Sequence, residues 1–344
     1  MQTVLREENL QWLTKIGCGR VKIPMVWSLI VPAEIHMAEN LMATDNPNQP
    51  FFDVSLFDPR QAFSRNLGWI TNREFELLRT FKIAIAGMGG VGGHHAEVLA
   101  RLGISRFHLS DFDTFEIGNF NRQNAAQISN VGRPKVEVIA QKLLDINPRA
   151  QITCFSQGVT AENLDSFLEG VDLYCDGLDF FVLELREKLF RALRNKNIPG
   201  ITVAPIGVGA AMLVFDSRSM SFDEYFGMYR TRDTVEKAIR FLVGLAPSLQ
   251  HARYIAEIRK SDFQNRKTPS LPMGCYLSAG VLGGLALKIL LKRGKVYTAP
   301  HSLHFDVYNN AFVHKKIYFG HRNPLQQIKR YLVKKQLLAS SPQK

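Results

Sequence analysis

The chain has few cysteines, and their spacing argues against two kinds of stabilising device. Four of its 344 residues are cysteine, namely Cys18, Cys154, Cys175 and Cys275. They are too scattered for a disulfide framework, and no two form the Cys-x-x-Cys pair that holds structural zinc. Cys154 and Cys175 fall in runs that predict buried strands, where we expect them to act as small apolar side chains.

The chain also has no long apolar run that is free of charge. The longest stretch of this kind, Cys275 to Leu287, is too short to cross a bilayer. Met1 to Gly17 mixes acidic, basic and scattered apolar residues, which differs from the pattern of a secretory signal. We therefore expect a cytoplasmic protein with no membrane partner.

Acidic side chains are scarce relative to basic ones. Lysine and arginine total 43 against 31 aspartate and glutamate residues, which gives a formal net charge of +12 at pH 7. Two segments, residues 220–271 and 321–344, are basic. Each could be a solvated helical face or a surface for an acidic protein tail or RNA, and charge alone does not distinguish these uses.

A glycine-rich turn near the first quarter of the chain is typical of nucleotide binding. An apolar run of strand length, residues 81–86, leads into Gly-Met-Gly-Gly-Val-Gly and then a helix-like segment, His94 to Leu102. Gly87 permits a tight turn, Gly89 lets a phosphate approach the backbone, and Gly92 lets the helix pack close to the strand. The helix N-terminus would then face an anion.

The residues after this turn favour a triphosphate over a redox cofactor. A second predicted strand, residues 106–110, ends at Asp111, whose carboxylate can accept hydrogen bonds from ribose hydroxyls. An Asn/Arg/Gln cluster at residues 119–123 follows, and Lys135 then opens another helix. An arginine fork and a lysine can hold three phosphates and stabilise charge on departing pyrophosphate.

Four motifs in this order resemble those of the ThiF, MoeB and HesA family of ubiquitin-activating-like adenylyltransferases. They are Gly87-Met88-Gly89-Gly90-Val91-Gly92, Asp111-Phe112-Asp113, Asn119-Phe120-Asn121-Arg122-Gln123 and Gly132-Arg133-Pro134-Lys135. The resemblance covers about residues 63–292. It implies that ATP adenylates a carboxylate, usually the C-terminal glycine of a ubiquitin-like or sulfur-carrier protein. The missing Cys-x-x-Cys pairs depart from members that hold zinc.

The resemblance also implies a role for each matching residue. Asp111 would hold the ribose. Asn119, Arg122 and Lys135 would hold the phosphates, and Gln123 would support them. The residues implied to bind the nucleotide are Gly87, Gly89, Gly90, Gly92, Asp111, Asp113, Asn119, Arg122, Gln123 and Lys135. Of these, Arg122 and Lys135 would also be catalytic.

Two further segments resemble the family. Residues 171–175 predict a buried strand, and Asp179 beyond its end matches an aspartate implied to contact Mg²⁺ and to be catalytic. The alternative is that Asp179 caps a helix predicted from Phe180 onward. Arg65 lies in a segment similar to the arginine motif that reaches the partner protomer's ATP site, which implies an obligate homodimer and a catalytic role for Arg65.

Cys275 has two interpretations. It begins a helix predicted over residues 276–291, and a helix N-terminus lowers the pKa of a thiol, which would suit a thioester-forming nucleophile. The helix is apolar, however, and no histidine lies within residues 270–278 to act as a local base. We favour a structural cysteine.

The predicted fold class is α/β, a Rossmann-like and mainly parallel sheet with helices on both faces and an antiparallel extension. Residues 61–217 would form the ATP-binding adenylation domain. Residues 218–320 would complete the same domain with a crossover segment, a helix and two strands. A basic tail, residues 321–344, would follow, and residues 1–60 form an amino-terminal extension to which no role is assigned.

The leading functional interpretation is adenylation of a carboxylate with ATP and Mg²⁺. In the same fold, a TcdA-like tRNA threonylcarbamoyladenosine dehydratase is the first alternative, because residues 119–123 resemble that branch closely and a basic surface would suit RNA. An NAD-dependent oxidoreductase and a catalytically silent nucleotide-binding scaffold are alternatives of other classes. The sequence does not show the acceptor.

Overall fold

The structure is a computed structural model that describes residues 53–257, 261–263 and 265–340. From Phe57 onward the chain forms one compact unit. Most of the predicted amino-terminal extension, Cys18 included, lies outside the described residues. The elements that carry the predicted site belong to the compact unit.

The unit is built from alternating strands and helices. The strands are β1 (Lys82–Ala86), β2 (Arg106–Ser110), β3 (Gln151–Phe155), β4 (Leu173–Asp176), β5 (Gly200–Ile206), β6 (Gly209–Phe215), β7 (His301–Asp306) and β8 (Ala311–Lys316). The α-helices are α1 (Pro59–Ala62), α2 (Asn72–Leu78), α3 (Gly92–Arg101), α4 (Lys135–Ile146), α5 (Leu164–Phe167), α6 (Leu183–Asn195), α7 (Phe222–Phe226), α8 (Thr234–Leu245), α9 (Pro272–Leu290) and α10 (Pro324–Ser340).

These strands form one sheet in the order β3-β2-β1-β4-β5-β6-β7-β8. Neighbours from β3 to β5 are parallel, and β6, β7 and β8 extend the sheet with antiparallel pairs. The predicted fold class is therefore confirmed. Strands β1 and β4 are neighbours at the middle of the parallel part. The chain runs outward from β1 to β2 and β3 on one side, and outward from β4 to β5 on the other side. Sheets of this kind bind ligands outside the carboxyl ends of the strands at such a switch point.

Alternation along the strands separates two apolar cores, one on each face of the sheet. Ile83 and Ile85 of β1 belong to the core shared with α3, α4 and α9. Ala84 and Ala86 belong to the core shared with α6 and α8. Helices thus cover both faces, as the sequence predicts.

Helix α9 begins earlier than predicted. Its first residue is Pro272 instead of Tyr276, because the fixed φ of proline suits the first helical position and no N–H is needed there. The helix has 19 residues and is long and apolar enough to cross a membrane by length and composition alone, whereas the sequence predicted an apolar run too short for this. Leu282 and Ala286 are fully buried, and α9 packs against β5, β6 and α3. It is the central helix of its core.

The prediction that Cys154 is buried is wrong, whereas Cys175 is buried as expected. Cys154 is exposed because β3 is the terminal strand of the sheet and is mostly open to solvent. Cys175 lies in β4, which has a parallel neighbour on each side and is buried throughout. Local sequence predicted both strands but not their order in the sheet.

Candidate functional site

The turn between β1 and α3 needs glycine for two different reasons. A Cβ on Gly87 would lie 2.2 Å from the carbonyl oxygen of Gly177, and one on Gly92 would lie 1.7 Å from the oxygen of Gly87. A Cβ on Gly89 or Gly90 would find no heavy atom closer than 3.6 Å. Packing therefore requires Gly87 and Gly92, whereas a Cβ on Gly89 or Gly90 would meet its neighbours only at ordinary van der Waals distances.

Two side chains from the loop between β2 and α4 lie beside Gly89 and Gly90. The Nε of Arg122 lies 3.6 Å from the Cβ position of Gly90, and Nε2 of Gln123 lies 3.7 Å from that of Gly89. Gln123 is buried, and its Oε1 has no hydrogen-bond partner in the described chain. Because an unpaired buried oxygen is costly, a donor on a bound molecule or its hydration water would stabilise this arrangement.

Asp111 lies where β2 ends and is bonded to the glycine-rich turn. Its Oδ2 accepts a hydrogen bond of 2.5 Å from the backbone N of Met88, and its Oδ1 accepts one of 2.8 Å from the N of Asp113. Burial raises the pKa of Asp111, although these bonds oppose that effect. Each oxygen retains a lone pair, which fits the predicted ribose contact.

Lys135 and Asp113 form an ion pair that sequence reasoning did not predict. The Nζ of Lys135 lies 3.0 Å from Oδ2 of Asp113, and the backbone N of Lys135 donates to the backbone O of Asp113 over 2.9 Å. The Lys135 side chain is 7% exposed and that of Asp113 is 53% exposed. The carboxylate thus gives a nearly buried cation an anionic partner at the first residue of α4.

The two asparagines of the cluster are hydrogen-bonded to backbone atoms, one within the cluster's own loop and one in a distant segment. Asn119 Oδ1 accepts from the backbone N of Glu116 over 3.0 Å and so caps the short 3₁₀ turn that ends at Asn119. Asn121 Nδ2 donates to the backbone O of Ser270 over 3.0 Å. The second bond joins the cluster to the end of the segment that leads into α9. The predicted phosphate contact of Asn119 remains a prediction.

The two aspartates after β4 differ in environment. Asp176 is buried, and its Oδ2 accepts from Arg186 Nε over 2.7 Å and from Thr202 Oγ1 over 2.9 Å, so it stabilises the fold. Asp179 is exposed, and its Oδ1 accepts from the backbone N of Phe181 over 2.9 Å. Helix α6 begins at Leu183 instead of Phe180, so Asp179 does not cap it.

The carboxylate of Asp179 suits a hard cation, but it does not form a complete protein site. Within residues 53–257, 261–263 and 265–340, no group of three His, Cys, Asp or Glu side chains is placed to hold a metal. A Mg²⁺ ion here would depend on phosphate and water oxygens for its other ligands, which is common for this ion. The donor chemistry fits the predicted metal, with Asp179 as its protein ligand.

Arg186 holds the loop that presents Asp179, a role that sequence reasoning missed. Its Nη2 donates to the backbone oxygens of Leu178 and Asp179 over 2.8 and 3.0 Å. Its Cζ lies 4.5 Å from the ring centroid of Phe241. The partners of Arg186 are mainly backbone oxygens, which the sequence does not reveal. The only available signal was the presence of an arginine near the start of α6.

Arg65 lies apart from these contacts. It is the middle residue of the short 3₁₀ turn Ser64–Asn66, and its side chain is exposed. Its side chain has no hydrogen bond or ion pair to any residue that the structure describes. It is free to reach another molecule, and its action in a partner protomer stays a prediction.

Cys275 lies beside the turn but is not activated by its helix. Its Sγ is 3.7 Å from the Cβ position of Gly90 and 3.9 Å from Oγ of Ser270. The predicted lowering of its pKa is wrong. Cys275 is the fourth residue of α9 and is fully buried, and burial raises the pKa of its thiol despite the nearby Arg122 charge.

The motifs, the fold and their geometry agree with comparisons to known proteins. The model of the ThiF family matches residues 63–327. A tRNA threonylcarbamoyladenosine dehydratase of Bacillus subtilis is 36% identical over 141 residues, which are 41% of this chain and 55% of the relative. Ubiquitin-like modifier-activating enzyme 5 of Arabidopsis thaliana is 38% identical over 241 residues, 67% of this chain and 52% of the relative.

A solved structure shows the same fold at lower identity. The crystal structure of PaaA superposes with a TM-score of 0.57 and 20% identity, and the match covers 83% of this chain and 91% of that chain. The chain spans about half the length of the curated relatives it matches. The family model covers most of the chain, from just before Arg65 through the sheet and α9 to the start of α10, and the chain belongs to the ThiF family.

Proposed function

We propose that this protein adenylates a carboxylate with ATP and Mg²⁺ and releases pyrophosphate, as a cytoplasmic homodimer. The observation that carries the proposal is that the side chains of Arg122 and Gln123 lie directly beside Gly90 and Gly89, the two glycines of the turn that close packing does not require. Lys135 begins the neighbouring helix α4, and Asp111 is bonded to the same turn. Cationic, amide and carboxylate side chains are therefore gathered around the glycine-rich turn, which supports a nucleoside triphosphate as the ligand.

The chemistry follows from charge. A carboxylate oxygen forms a bond to the α-phosphorus, and the bond from that phosphorus to the oxygen bridging to the β-phosphate breaks. The electron pair leaves with pyrophosphate, and Arg122 and Lys135 stabilise its charge. A carboxylate is already ionised at neutral pH, so no general base is needed. Mg²⁺ held by Asp179 would neutralise further phosphate charge.

Lys135 can stabilise the phosphates only if its ammonium group binds a phosphate oxygen as well as Asp113. In the structure it is paired with Asp113, whose side chain is half exposed. A phosphate oxygen that approaches Nζ can share this ammonium group, because it has three donors. Asp113 would then keep the ammonium in place while ATP is absent.

For the acceptor, we propose the C-terminus of a ubiquitin-like or sulfur-carrier protein. Relatives of the chain include the sulfur carrier protein ThiS adenylyltransferase of Escherichia coli and the ubiquitin-like modifier-activating enzyme 5 of Arabidopsis thaliana, besides a molybdopterin-synthase adenylyltransferase. The exposed Arg65 would complete the partner protomer's site.

A carboxylate on modified tRNA is the second candidate acceptor. Relatives from Bacillus subtilis and Escherichia coli are tRNA threonylcarbamoyladenosine dehydratases. The chain also has no aspartate or glutamate after Asp306, whereas residues 307–344 contain several lysines and arginines. A segment without acidic residues would favour a polyanion.

Pyrophosphate exchange tests the proposal. Purified protein is incubated with ATP, Mg²⁺ and labelled pyrophosphate, in the presence of carrier proteins with free C-termini or of threonylcarbamoyladenosine-containing tRNA. Label should enter ATP with one acceptor class and not without it. Saturable binding of NAD together with no binding of ATP would contradict adenylation and support the oxidoreductase alternative. ATP binding with no exchange for any acceptor would favour the silent scaffold.

A further inference from the structure

The backbone of Arg122 is held by a histidine of the helix that follows the glycine-rich turn. His94 is the third residue of α3 and is 3% exposed. Its Nε2 lies 2.9 Å from the carbonyl oxygen of Arg122. A carbonyl can only accept, so Nε2 carries the proton and donates it. Burial lowers the pKa of His94, which keeps the ring neutral near pH 7.

Neighbouring residues of α3 hold the same loop at a second point. A Cβ on Gly93 would lie 2.6 Å from Oδ1 of Asn124, so this glycine lets the loop approach the helix. The Nδ2 of Asn124 donates to Oε2 of Glu97 over 2.9 Å. Residues 93, 94 and 97 therefore dock the segment that contains Arg122 onto α3.

The ring of His94 also contacts α9, the helix that packs against α3. Its centroid lies 4.4 Å from that of Tyr276 in α9, at an interplanar angle of 61°. Cys275, the residue before Tyr276, lies beside Gly90 and Arg122. The ring of His94, which projects from α3, is thus packed between the loop that carries Arg122 and helix α9. This packing restricts rotation of the ring.

We infer that His94 is a positioning residue for Arg122 and that it sets the distance between the guanidinium group and the backbone of Gly89 and Gly90. His94 lies four residues after Gly90 in a continuous turn and helix. Its hydrogen bond therefore links the Arg122 backbone to the same rigid element that would carry the phosphates. Within the loop, Nη1 of Arg122 donates to the backbone O of Gly118 over 3.1 Å and to Oδ1 of Asn121 over 2.9 Å. Without the His94 bond the guanidinium group would keep these partners, but the loop that carries it would shift relative to α3. This inference rests on the proposed nucleotide site.

Two substitutions separate the hydrogen bond from the volume of the ring. In His94→Gln an amide nitrogen can take the place of Nε2 and still donate to the Arg122 carbonyl. His94→Leu has a similar size and no donor. His314→Leu, which changes an exposed histidine of β8, is the control. The binding constant of ATP with Mg²⁺ is measured by calorimetry, which requires no acceptor substrate, and each variant is checked by circular dichroism and thermal unfolding.

His94→Leu should weaken ATP binding about tenfold, because a hydrogen bond that places a charged group has been lost. The ATP affinity of His94→Gln should stay within about twofold of that of the unaltered protein, because the amide keeps the hydrogen bond. If His94 acted only through packing, the glutamine variant would lose affinity as well. If His94→Leu does not fold, His94→Asn replaces it, since its shorter amide does not reach the carbonyl. Equal losses in the glutamine variant and in the variant without a donor would overturn the inference.

A double substitution tests whether His94 acts through Arg122. In an Arg122→Ala background, His94→Leu should cause no further loss of ATP affinity, because there is no guanidinium group left to align. Losses that add in full would show that His94 acts independently and would contradict the inference. If the unaltered protein does not bind ATP at all, the proposed function has failed, a result distinguishable from unaltered binding in His94→Leu.

Discussion

Lys135 and Asp113 form an ion pair of 3.0 Å in which the cation is nearly buried and the carboxylate is half exposed. The asymmetry matters because the lysine depends on its partner for charge compensation, whereas the aspartate can be rehydrated if the lysine is removed. It also places a positive charge at the first residue of α4.

Lys135→Ala should weaken ATP binding by about ten- to hundredfold while the protein remains folded. Asp113 stays solvated in this variant, so no buried charge is left unpaired. Calorimetry with ATP and Mg²⁺ gives the affinity, and thermal unfolding gives the stability. Lys188→Ala, on the exposed side of α6, is a control and should bind normally. An unchanged affinity would remove Lys135 from the site.

Asp179→Asn should abolish pyrophosphate exchange and leave stability within about 0.5 kcal/mol. The side chain is exposed, and an asparagine oxygen can still accept from the N of Phe181. An amide is a weaker ligand than a carboxylate for Mg²⁺. Asp165→Asn, which changes another exposed aspartate, should retain full exchange. Exchange that survives in Asp179→Asn would mean that the cation is held elsewhere.

Arg65→Ala should be inactive alone but should be complemented by a second inactive variant. If Arg65 acts in the partner's site, a heterodimer of Arg65→Ala and Asp179→Asn chains contains one site with both residues intact. Mixed and re-equilibrated chains should then recover up to one active site per heterodimer. A fully active monomer in sedimentation experiments would refute this arrangement.

Cys275→Ala should form adenylate and turn over normally. The thiol is buried, and burial raises its pKa, so little thiolate is present at neutral pH to attack an acyl-adenylate. Mass spectrometry of the reaction mixture checks for a covalent intermediate. A reducible adduct mapped to Cys275 would place the protein with thioester-forming enzymes.

Removal of His95 should make the protein less sensitive to acid. His95 is fully buried without a partner for either ring nitrogen among residues of the described chain, and burial lowers its pKa to about 3. The unfolded chain binds a proton below the ordinary pKa of 6.5, whereas the folded chain does not until pH 3 is approached. Stability is therefore lost as pH falls through this window, with a slope of about 1.4 kcal/mol per pH unit for one proton.

Denaturant unfolding from pH 7 to pH 4 measures that slope. His95→Leu should reduce it by about one proton's contribution. An equal acid sensitivity in His95→Leu and the unaltered protein would show that His95 is hydrated or paired in solution.

Elements defined by local sequence were predicted well. Helix α4 begins at Lys135 as predicted, and β2 has its predicted bounds. The antiparallel extension was also expected. In each case the chemistry lies within a few consecutive residues, namely an apolar run, glycine in a turn, or helical periodicity. The family motifs, which are also runs of a few consecutive residues, predicted which side chains belong to the proposed nucleotide site.

Tertiary structure decided properties that depend on distant neighbours. Cys154 is exposed because β3 became the terminal strand, and the pKa of Cys275 is raised because β5 and α3 bury the helix that carries it. Asp176 is paired with Arg186, and the Arg122 backbone is held by His94, 28 residues earlier in the chain. Sequence determined which side chains were available and on which elements, whereas burial and hydrogen-bond partners arose only when the packed sheet brought those elements together, because desolvation and hydrogen bonding act through distance in space.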